Sequence, residues 1–145
     1  MEPIKNKKAF FDYEILDKFE AGLVLHGYEV KSIRAKKIQL KGGFIFIKDG
    51  EAWLENVQIS AYQPANQPES NGKRKRKLLL NRREIAKITS FSETAGISIL
   101  PLKIFTSNGK IKLQIGVGRG KKKHDKRETI KKREMDRQLR QGFNR

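Results

Sequence analysis

The stretch FFDYEILDKFEAGLVL, residues 10–25, places an apolar residue at nearly every second position. Among its eight odd-numbered positions only Asp17 is polar, while half of the even-numbered positions are charged. A period of two is typical of a β-strand that buries one face. We therefore predict one long strand over residues 11–25, with a bend or bulge at Ala21-Gly22.

Two Asx-Gly pairs predict β-hairpins. Asp49-Gly50 separates FIFI (44–47) from AWLENVQI (52–59), and Asn108-Gly109 separates ISILPLKIF (97–105) from KIKLQIGV (110–117). Such pairs favour the tight turns that join antiparallel strands. In the last strand the odd positions are apolar from Ile111 to Val117, which leaves Lys112 on the opposite face.

Two segments are predicted to form helices at the periphery of this sheet. HGYEVKSIRAKK (26–37) has apolar residues three apart, and Asn81 to Glu84 fits a capping box. About six antiparallel strands with two or three peripheral helices indicate a mainly β protein. The natural candidate is a small barrel like the oligonucleotide-binding fold. We expect a barrel body over residues 1–117 and a basic tail over residues 118–145.

The net charge of +17 is concentrated in two segments. Residues 118–145 hold twelve Lys or Arg and four Asp or Glu, and residues 73–87 hold eight basic residues and one Glu. Two basic segments on a nearly neutral body indicate a polyanionic partner. Solvated charged faces are the alternative. An anionic membrane fits less well, because neither segment has the large apolar face of an interfacial helix.

Composition argues against several other classes. The chain has no cysteine and only two histidines, His26 and His124, and it lacks phosphate-loop, dinucleotide-binding and HExxH motifs. We interpret His26, at the end of a strand, as structural. No apolar run approaches the length of a membrane span, and the N-terminus lacks a signal-peptide core. We expect a soluble cytoplasmic protein without enzymatic activity, metal or cofactor.

Basic residues on a barrel suit RNA. Phe11, Tyr13 and Phe19 are assigned to the buried face of the first strand, and Trp53 alone is not a stacking platform. The pattern therefore favours a folded RNA, recognised by its shape and backbone, over a single strand.

Four segments resemble one family. EVKSIRA (29–35), EAWLENVQISAY (51–62), RKLLLNRREI (76–85) and GKKKHDKR (120–127) follow the order and spacing of the SsrA-binding protein family. This family is the protein partner of bacterial transfer-messenger RNA, and the likeness covers residues 6–127. It implies an oligonucleotide-binding-like barrel with peripheral helices. It also implies a role in trans-translation, the rescue of ribosomes stalled on messages without a stop codon.

The resemblance implies a surface that binds the tRNA-like domain of transfer-messenger RNA. Glu29 would accept a hydrogen bond from a base amino group or orient Lys31 or Arg34, whereas residues 78–80 are expected to pack. The segment NQPESNGKRK (66–75) departs from the family pattern, so the contacts of residues 73–75 stay unassigned. The residues expected on this surface are Glu29, Lys31, Arg34, Arg76, Lys77, Asn81 and Lys112.

The resemblance also implies that the tail is disordered alone and becomes helical in the message channel of the small ribosomal subunit. Asp125 and Glu128 are spaced to cap a helix, but Ile130, Met135 and Leu139 are too sparse for an independent amphipathic helix. Ribosomal RNA would offset the cost of ordering. His124 would stack on a base in the decoding centre. The expected ribosome contacts are Gly120, Lys121, Lys122, His124, Asp125, Lys126 and Arg127, together with Lys131 and Lys132, which are chosen for their charge alone.

The implied partners are transfer-messenger RNA, the ribosome and elongation factor Tu as part of the delivery complex, with no membrane. Two other readings stay open. A general rRNA-binding or structural ribosomal protein would lose affinity uniformly as basic residues are removed. An RNA-processing enzyme would depend on a single acidic or histidine residue, and the absence of clustered carboxylates argues against it.

Overall fold

The structure, a computed structural model, describes residues 1–61, 72–121 and 123–142; in the last segment it describes the side chains of 126–128 and 130–137. Helices and strands alternate irregularly along these residues. The elements are β1 (Ile4–Lys5), α1 (Lys7–Asp12), β2 (Tyr13–Leu23), α2 (Gly27–Arg34), β3 (Ile38–Gln39), β4 (Phe44–Lys48), β5 (Glu51–Glu55), β6 (Gln58–Ile59), β7 (Arg76–Leu79), α3 (Arg82–Ser92), β8 (Ile97–Ser107), β9 (Lys110–Gly120) and α4 (Lys123–Gly142).

Most strands form one antiparallel sheet in the order β1-β8-β9-β2-β7-β5-β4, and β3 pairs with β6 in a small second sheet. The large sheet curls until β4 contacts β8 without pairing to it, which gives a partly open barrel. The mainly β, barrel-like prediction is confirmed. Three of the nine strands in the described residues have only two residues, and these account for the excess over the six expected.

The main core fills the concave side of the curled sheet. It contains the inward side chains of β2, β5, β7 and β9, and it is closed by Ile33 from α2 and Ile88 from α3, both with no exposed surface. Burying an aliphatic side chain of this size contributes about 1.5–3 kcal/mol. The two helices therefore stabilise the barrel through the residues that the sequence spaces at helical intervals.

The two predicted hairpins and the predicted capping box are confirmed. Asp49-Gly50 joins β4 to β5 and Asn108-Gly109 joins β8 to β9, and all four residues have positive φ angles between 51° and 75°. This is the conformation that favours Asx-Gly at two-residue turns. Asn81 Oδ1 accepts a hydrogen bond from the Glu84 amide at 2.8 Å, and Glu84 Oε1 accepts one from the Asn81 amide at 3.1 Å.

The first strand is shorter than predicted. Phe11 belongs to α1, because the side chain of Asn6 accepts a hydrogen bond from the Ala9 amide and begins a helix there. Asn6 is itself buried and donates to the Pro101 carbonyl at 2.9 Å, which ties α1 to β8. The expectation that Phe11 lies on the buried face of a strand is wrong.

The bulge in β2 is also elsewhere than predicted. Ala21 and Gly22 pair regularly with β9, whereas the register shifts between Ile15 and Asp17. A single extra residue reverses which face each later side chain occupies. Odd positions before the shift therefore lie on one side of the sheet, and odd positions after it lie on the other.

This reversal explains how one alternating sequence buries residues on two faces. Ile15 packs with Leu100 and Leu102 in a small cluster beneath α1, while Phe19 lies in the main core. On the α1 side, Gly116 gives the required space, since a Cβ there would lie 2.6 Å from Leu102. The sequence pattern predicted only one buried face, because alternation does not reveal a change of register.

The last strand runs past residue 117, the last residue that we assigned to the body. β9 continues through Gly118 and Arg119 to Gly120, which pairs with Tyr13. The folded body therefore reaches at least three residues beyond 117.

No helix in the described part of the chain is long and apolar enough to cross a membrane.

Candidate nucleic-acid interface

A buried ion-pair cluster joins α2 to the start of β7. The Arg76 Nε donates to Glu29 Oε2 at 2.8 Å, and the side chains of Arg76 and Glu29 are only 1% and 2% exposed. Arg74 donates to the other oxygen of the same carboxylate. That oxygen also accepts a hydrogen bond from the backbone amide of His26 at 2.9 Å, so Glu29 closes the first turn of α2.

Arg76 also fixes the backbone around it. Its guanidinium donates to the carbonyls of Val57, Gly72 and Arg74 at distances of 2.8–2.9 Å. These contacts hold the segment that leads into β7 against α2 and β6. A buried arginine whose Nε, Nη1 and Nη2 all donate to oxygen atoms is typical of a positioning role.

The cluster changes the interpretation of two predicted site residues. Glu29 and Arg76 are buried, so neither side chain is on the surface where RNA could contact it. Glu29 also bonds to Arg74 and Arg76 instead of orienting Lys31 or Arg34. This burial favours a positioning role for Glu29 and Arg76 over direct contact with RNA. The sequence did not reveal the burial of Glu29, because a glutamate in the first turn of a helix is expected to be exposed.

Ionisation of the cluster follows from its hydrogen bonds. Burial raises the pKa of the Glu29 carboxyl, but the His26 amide and the Arg74 and Arg76 guanidiniums together lower it below its ordinary value. Burial lowers the pKa of Arg76, and the bond and charge of Glu29 oppose that shift. The carboxylate is therefore ionised at neutral pH, with arginines as its counter-charges.

Beside this cluster lies a shallow pocket of about 340 Å³ formed by α2, β2, β7 and β9. Arg34 from α2 and Lys112 from β9 both line it, together with Val30 and Leu79. Arg34 is exposed and Lys112 is half-buried on the outer face of β9, as predicted. The fold thus brings together two cations that are 78 positions apart in the sequence.

Leu79 is the residue of this surface that sequence reasoning missed. We expected residues 78–80 to pack, and Leu78 does lie in the core, but Leu79 is 54% exposed. It lies opposite Gly22 on the outer face of the sheet, where a Cβ on Gly22 would be 3.3 Å from the leucine. Strand alternation gives the signal, since Leu78 and Leu79 must point to opposite faces.

Three other predicted residues lie around this surface. Lys31 is exposed on α2, and Lys77 is on the outer face of β7 with its Nζ 3.0 Å from Glu51. Asn81 is exposed at the N-terminus of α3, where its side chain caps the helix. The surface formed by Lys31, Arg34, Lys77, Leu79, Asn81 and Lys112 is called the α2–β7–β9 face below.

The tail forms helix α4, which contacts α1. Lys126 Nζ lies 3.2 Å from a carboxylate oxygen of Asp12, and Lys126 and Arg133 both lie over the Phe11 ring at 5.9 and 5.5 Å. The backbone amide of Lys121 donates to the Asp12 carbonyl at 2.8 Å. The ion pair between Lys126 and Asp12 is partly exposed.

The helix begins at Lys123, two residues before Asp125. Arg127, Lys131 and Lys132 are exposed. The side chains of His124 and Asp125, and all of Lys122, lie outside the described residues. The fraction of helix in an isolated tail stays a prediction.

Together, the barrel and its basic outer face define a small antiparallel β-barrel protein with the kind of surface that binds polyanions. Comparison with known proteins narrows this class. The family described as "SmpB protein" matches residues 3–145, and the chain belongs to this family.

Individual SsrA-binding proteins are also similar to this chain over most of its length. The SsrA-binding protein of Latilactobacillus sakei is 52% identical over 135 residues, covering 93% of this chain and 86% of the relative. That of Streptococcus mutans is 50% identical over 135 residues, covering 93% and 87%. A solved structure described as "tmRNA-SmpB: a journey to the center of the bacterial ribosome" matches with a TM-score of 0.71 and 39% identity, covering 88% of this chain and 94% of that one.

Proposed function

We propose that this protein binds the tRNA-like domain of transfer-messenger RNA and brings it to stalled ribosomes in trans-translation. The observation that carries the proposal is the joint position of Arg34, Lys112 and the exposed Leu79 around one pocket. The names of the relatives, and the description of the similar structure, support the same partner RNA and the ribosome.

In this proposal the protein is a non-catalytic adaptor. Lys31, Arg34 and Lys112 contact phosphates, which fix the position of the RNA without reading its sequence. Leu79 packs against a sugar or base where the RNA approaches most closely. Glu29 and Arg76 act as positioning residues, because they hold α2 and β7 in the arrangement that places these side chains together.

The tail has a separate role in this proposal. α4 enters the empty message channel of the small subunit and reports that no message occupies it, while elongation factor Tu delivers the complex. Exposed basic residues such as Arg127, Lys131 and Lys132 support this role, because they can neutralise the phosphates of a ribosomal RNA wall.

The test measures binding of the full-length chain to the tRNA-like domain and to an ordinary tRNA at about 0.15 M salt, where weak exposed charge interactions are screened. We expect tighter binding to the tRNA-like domain and a loss of affinity in Lys112→Ala. Lys18→Ala, which removes an exposed lysine from β2 outside the α2–β7–β9 face, is the charge-matched control.

Two outcomes would contradict the proposal. Equal, weak binding to both RNAs would leave a general rRNA-binding protein. Equal losses in Lys112→Ala and Lys18→Ala would show that only total charge matters, as for non-specific binding.

A further inference from the structure

The outer face of the β4–β5 hairpin carries three aromatic side chains. The inward side chains of this hairpin, such as Ile45 and Leu54, lie in the core, so Phe44, Phe46 and Trp53 point outward. Phe46 pairs directly with Trp53 across the two strands, and the rings of Phe44 and Phe46 are 6.3 Å apart. Phe44 is 42% exposed and Phe46 and Trp53 are partly buried, so the three rings form a contiguous aromatic row at the surface.

Cations from β7 lie beside these rings. Lys77 is the cross-strand partner of Trp53, and Lys75, two residues earlier on the same face, places its Nζ 4.8 Å from the centre of the Trp53 ring. Both lysines belong to the basic segment 73–87. Lys48 ends β4 on the same face. Aromatic rings interleaved with lysines on a sheet are the combination that stacks bases and holds phosphates.

This aromatic row is continuous with the α2–β7–β9 face. β7 contributes Lys77 to the row and Leu79 to the pocket, and both point outward from the same strand. Leu79 is the cross-strand neighbour of Gly22 on β2, and Gly22 is in turn the neighbour of Lys112 on β9. An RNA seated on the pocket therefore needs only to extend across two strands to reach Trp53.

We propose that Phe44, Phe46 and Trp53 form a second subsite, which stacks unpaired nucleobases of the same RNA. This inference rests on the proposed function and extends it from backbone recognition to base stacking. In the bound state a base covers the Trp53 ring, and Lys75 moves from the ring to an adjacent phosphate. The sequence predicted a folded RNA read by shape alone because it offered Trp53 as a single aromatic.

Trp53 is the only tryptophan in the chain, so its fluorescence reports on this subsite directly. The experiment titrates the full-length chain with a single-stranded uridine octamer, with an RNA duplex of the same length, and with the tRNA-like domain. We expect saturable quenching by the octamer and by the tRNA-like domain, and little quenching by the duplex. Phe44→Ala should weaken octamer binding by at least about fivefold, since loss of one stacking ring has effects of that size.

Leu16→Ala is the matched control, because Leu16 is a similarly exposed apolar residue on β2, at 40%. It should bind the octamer like the unchanged chain. Absence of quenching, or equal behaviour of Phe44→Ala and Leu16→Ala, would overturn the proposal and leave this face to a protein partner.

The experiments distinguish failure of the stacking proposal from failure of the proposed function. In one outcome the chain prefers the tRNA-like domain, and Lys112→Ala weakens binding of that RNA. If Phe44→Ala does not weaken this binding and Trp53 fluorescence is not quenched, only the stacking subsite is wrong. If the chain shows no preference between the tRNA-like domain and tRNA, the proposed function is wrong whatever Trp53 reports. The stacking proposal then falls with it as a subsite for this RNA.

Discussion

Residues 73–87 and 118–145 carry similar net charges, with eight basic residues against one acidic in the first and twelve against four in the second. The structure uses them differently. In the first segment successive residues of β7 point to opposite faces, so Arg76 and Leu78 are buried while Lys77 and Leu79 face outward. In the second, Lys126 and Arg133 are among the described side chains through which α4 contacts α1.

The two segments differ in the contacts that hold their basic side chains in place. Arg76 is held by Glu29 and three carbonyl groups in a buried site, whereas Lys126 is held by a partly exposed ion pair. Exposed ion pairs contribute about 0–1 kcal/mol, while breaking a buried one costs several times more. Arg76 is therefore held more firmly than Lys126. In the proposed function, the body recognises one RNA shape and the tail inserts into another site.

The largest expected effect separates the two segments by function. A chain that ends at Lys121 keeps all of β9 but lacks α4. We expect its affinity for transfer-messenger RNA to stay within about tenfold of the full chain, because tail cations contribute only screened, non-specific attraction. Peptide tagging in a reconstituted ribosome-rescue assay should be abolished. Retained tagging would contradict the proposed role of the tail.

The next effect is on stability. Glu29→Ala leaves the buried Arg76 without its carboxylate, and we expect a loss of about 3–5 kcal/mol in the free energy of unfolding. Urea denaturation measures it. Binding of transfer-messenger RNA should also weaken, although the net charge rises, because α2 and β7 lose their common anchor.

Lys31→Ala is the control for this variant, since Lys31 is exposed on the same helix. Its stability should change by less than about 0.5 kcal/mol, while RNA binding still falls. This contrast distinguishes a contact residue from a positioning residue. A Glu29→Ala chain as stable as the unchanged protein would show that the buried cluster has no anchoring role.

A smaller effect depends on pH. Because the pKa of Glu29 is lower in the folded chain than its ordinary value, its contribution to stability is complete above that ordinary value and disappears as the pH falls through the folded pKa. The stability difference between the unchanged chain and Glu29→Gln should therefore shrink in acid. Urea midpoints measured from pH 7 down to pH 3 test this. A difference that stays constant over that range would exclude a lowered pKa.

The smallest effect is expected at the contact between α1 and α4. Phe11→Ala removes the ring beneath Lys126 and Arg133, and each such contact contributes about 0.5–1 kcal/mol at an exposed site. We expect faster amide hydrogen exchange in α4 and little change in the stability of the barrel. Protection of α4 that does not change would show that other contacts hold the helix.

An isolated 118–145 peptide completes the comparison. Its few apolar residues give no continuous stripe for a helix to bury, so circular dichroism in water should show little helix. A strongly helical peptide would show that α4 does not depend on the body or on RNA.

Local signals in the sequence predicted much of the fold. The Asx-Gly turns, the Asn81–Glu84 capping box, the helix around 27–34 and the outward position of Lys112 depend on residues close together in the chain. The division of basic charge between two segments was also visible from the sequence. These features are determined by backbone preferences and by strand alternation, which act over a few residues.

Only the tertiary structure decided which polar residues are buried and which apolar ones are exposed. Glu29 and Arg76 are 47 positions apart, and their ion pair exists because α2 packs against the start of β7. Leu79, Phe44 and Trp53 acquire a common outer face because β2, β7, β5 and β4 are neighbours in the sheet. The shift of register at residues 15–17 divides one alternating segment between two clusters. Alternation specifies that successive side chains point in opposite directions, but strand pairing and register determine what lies on each side.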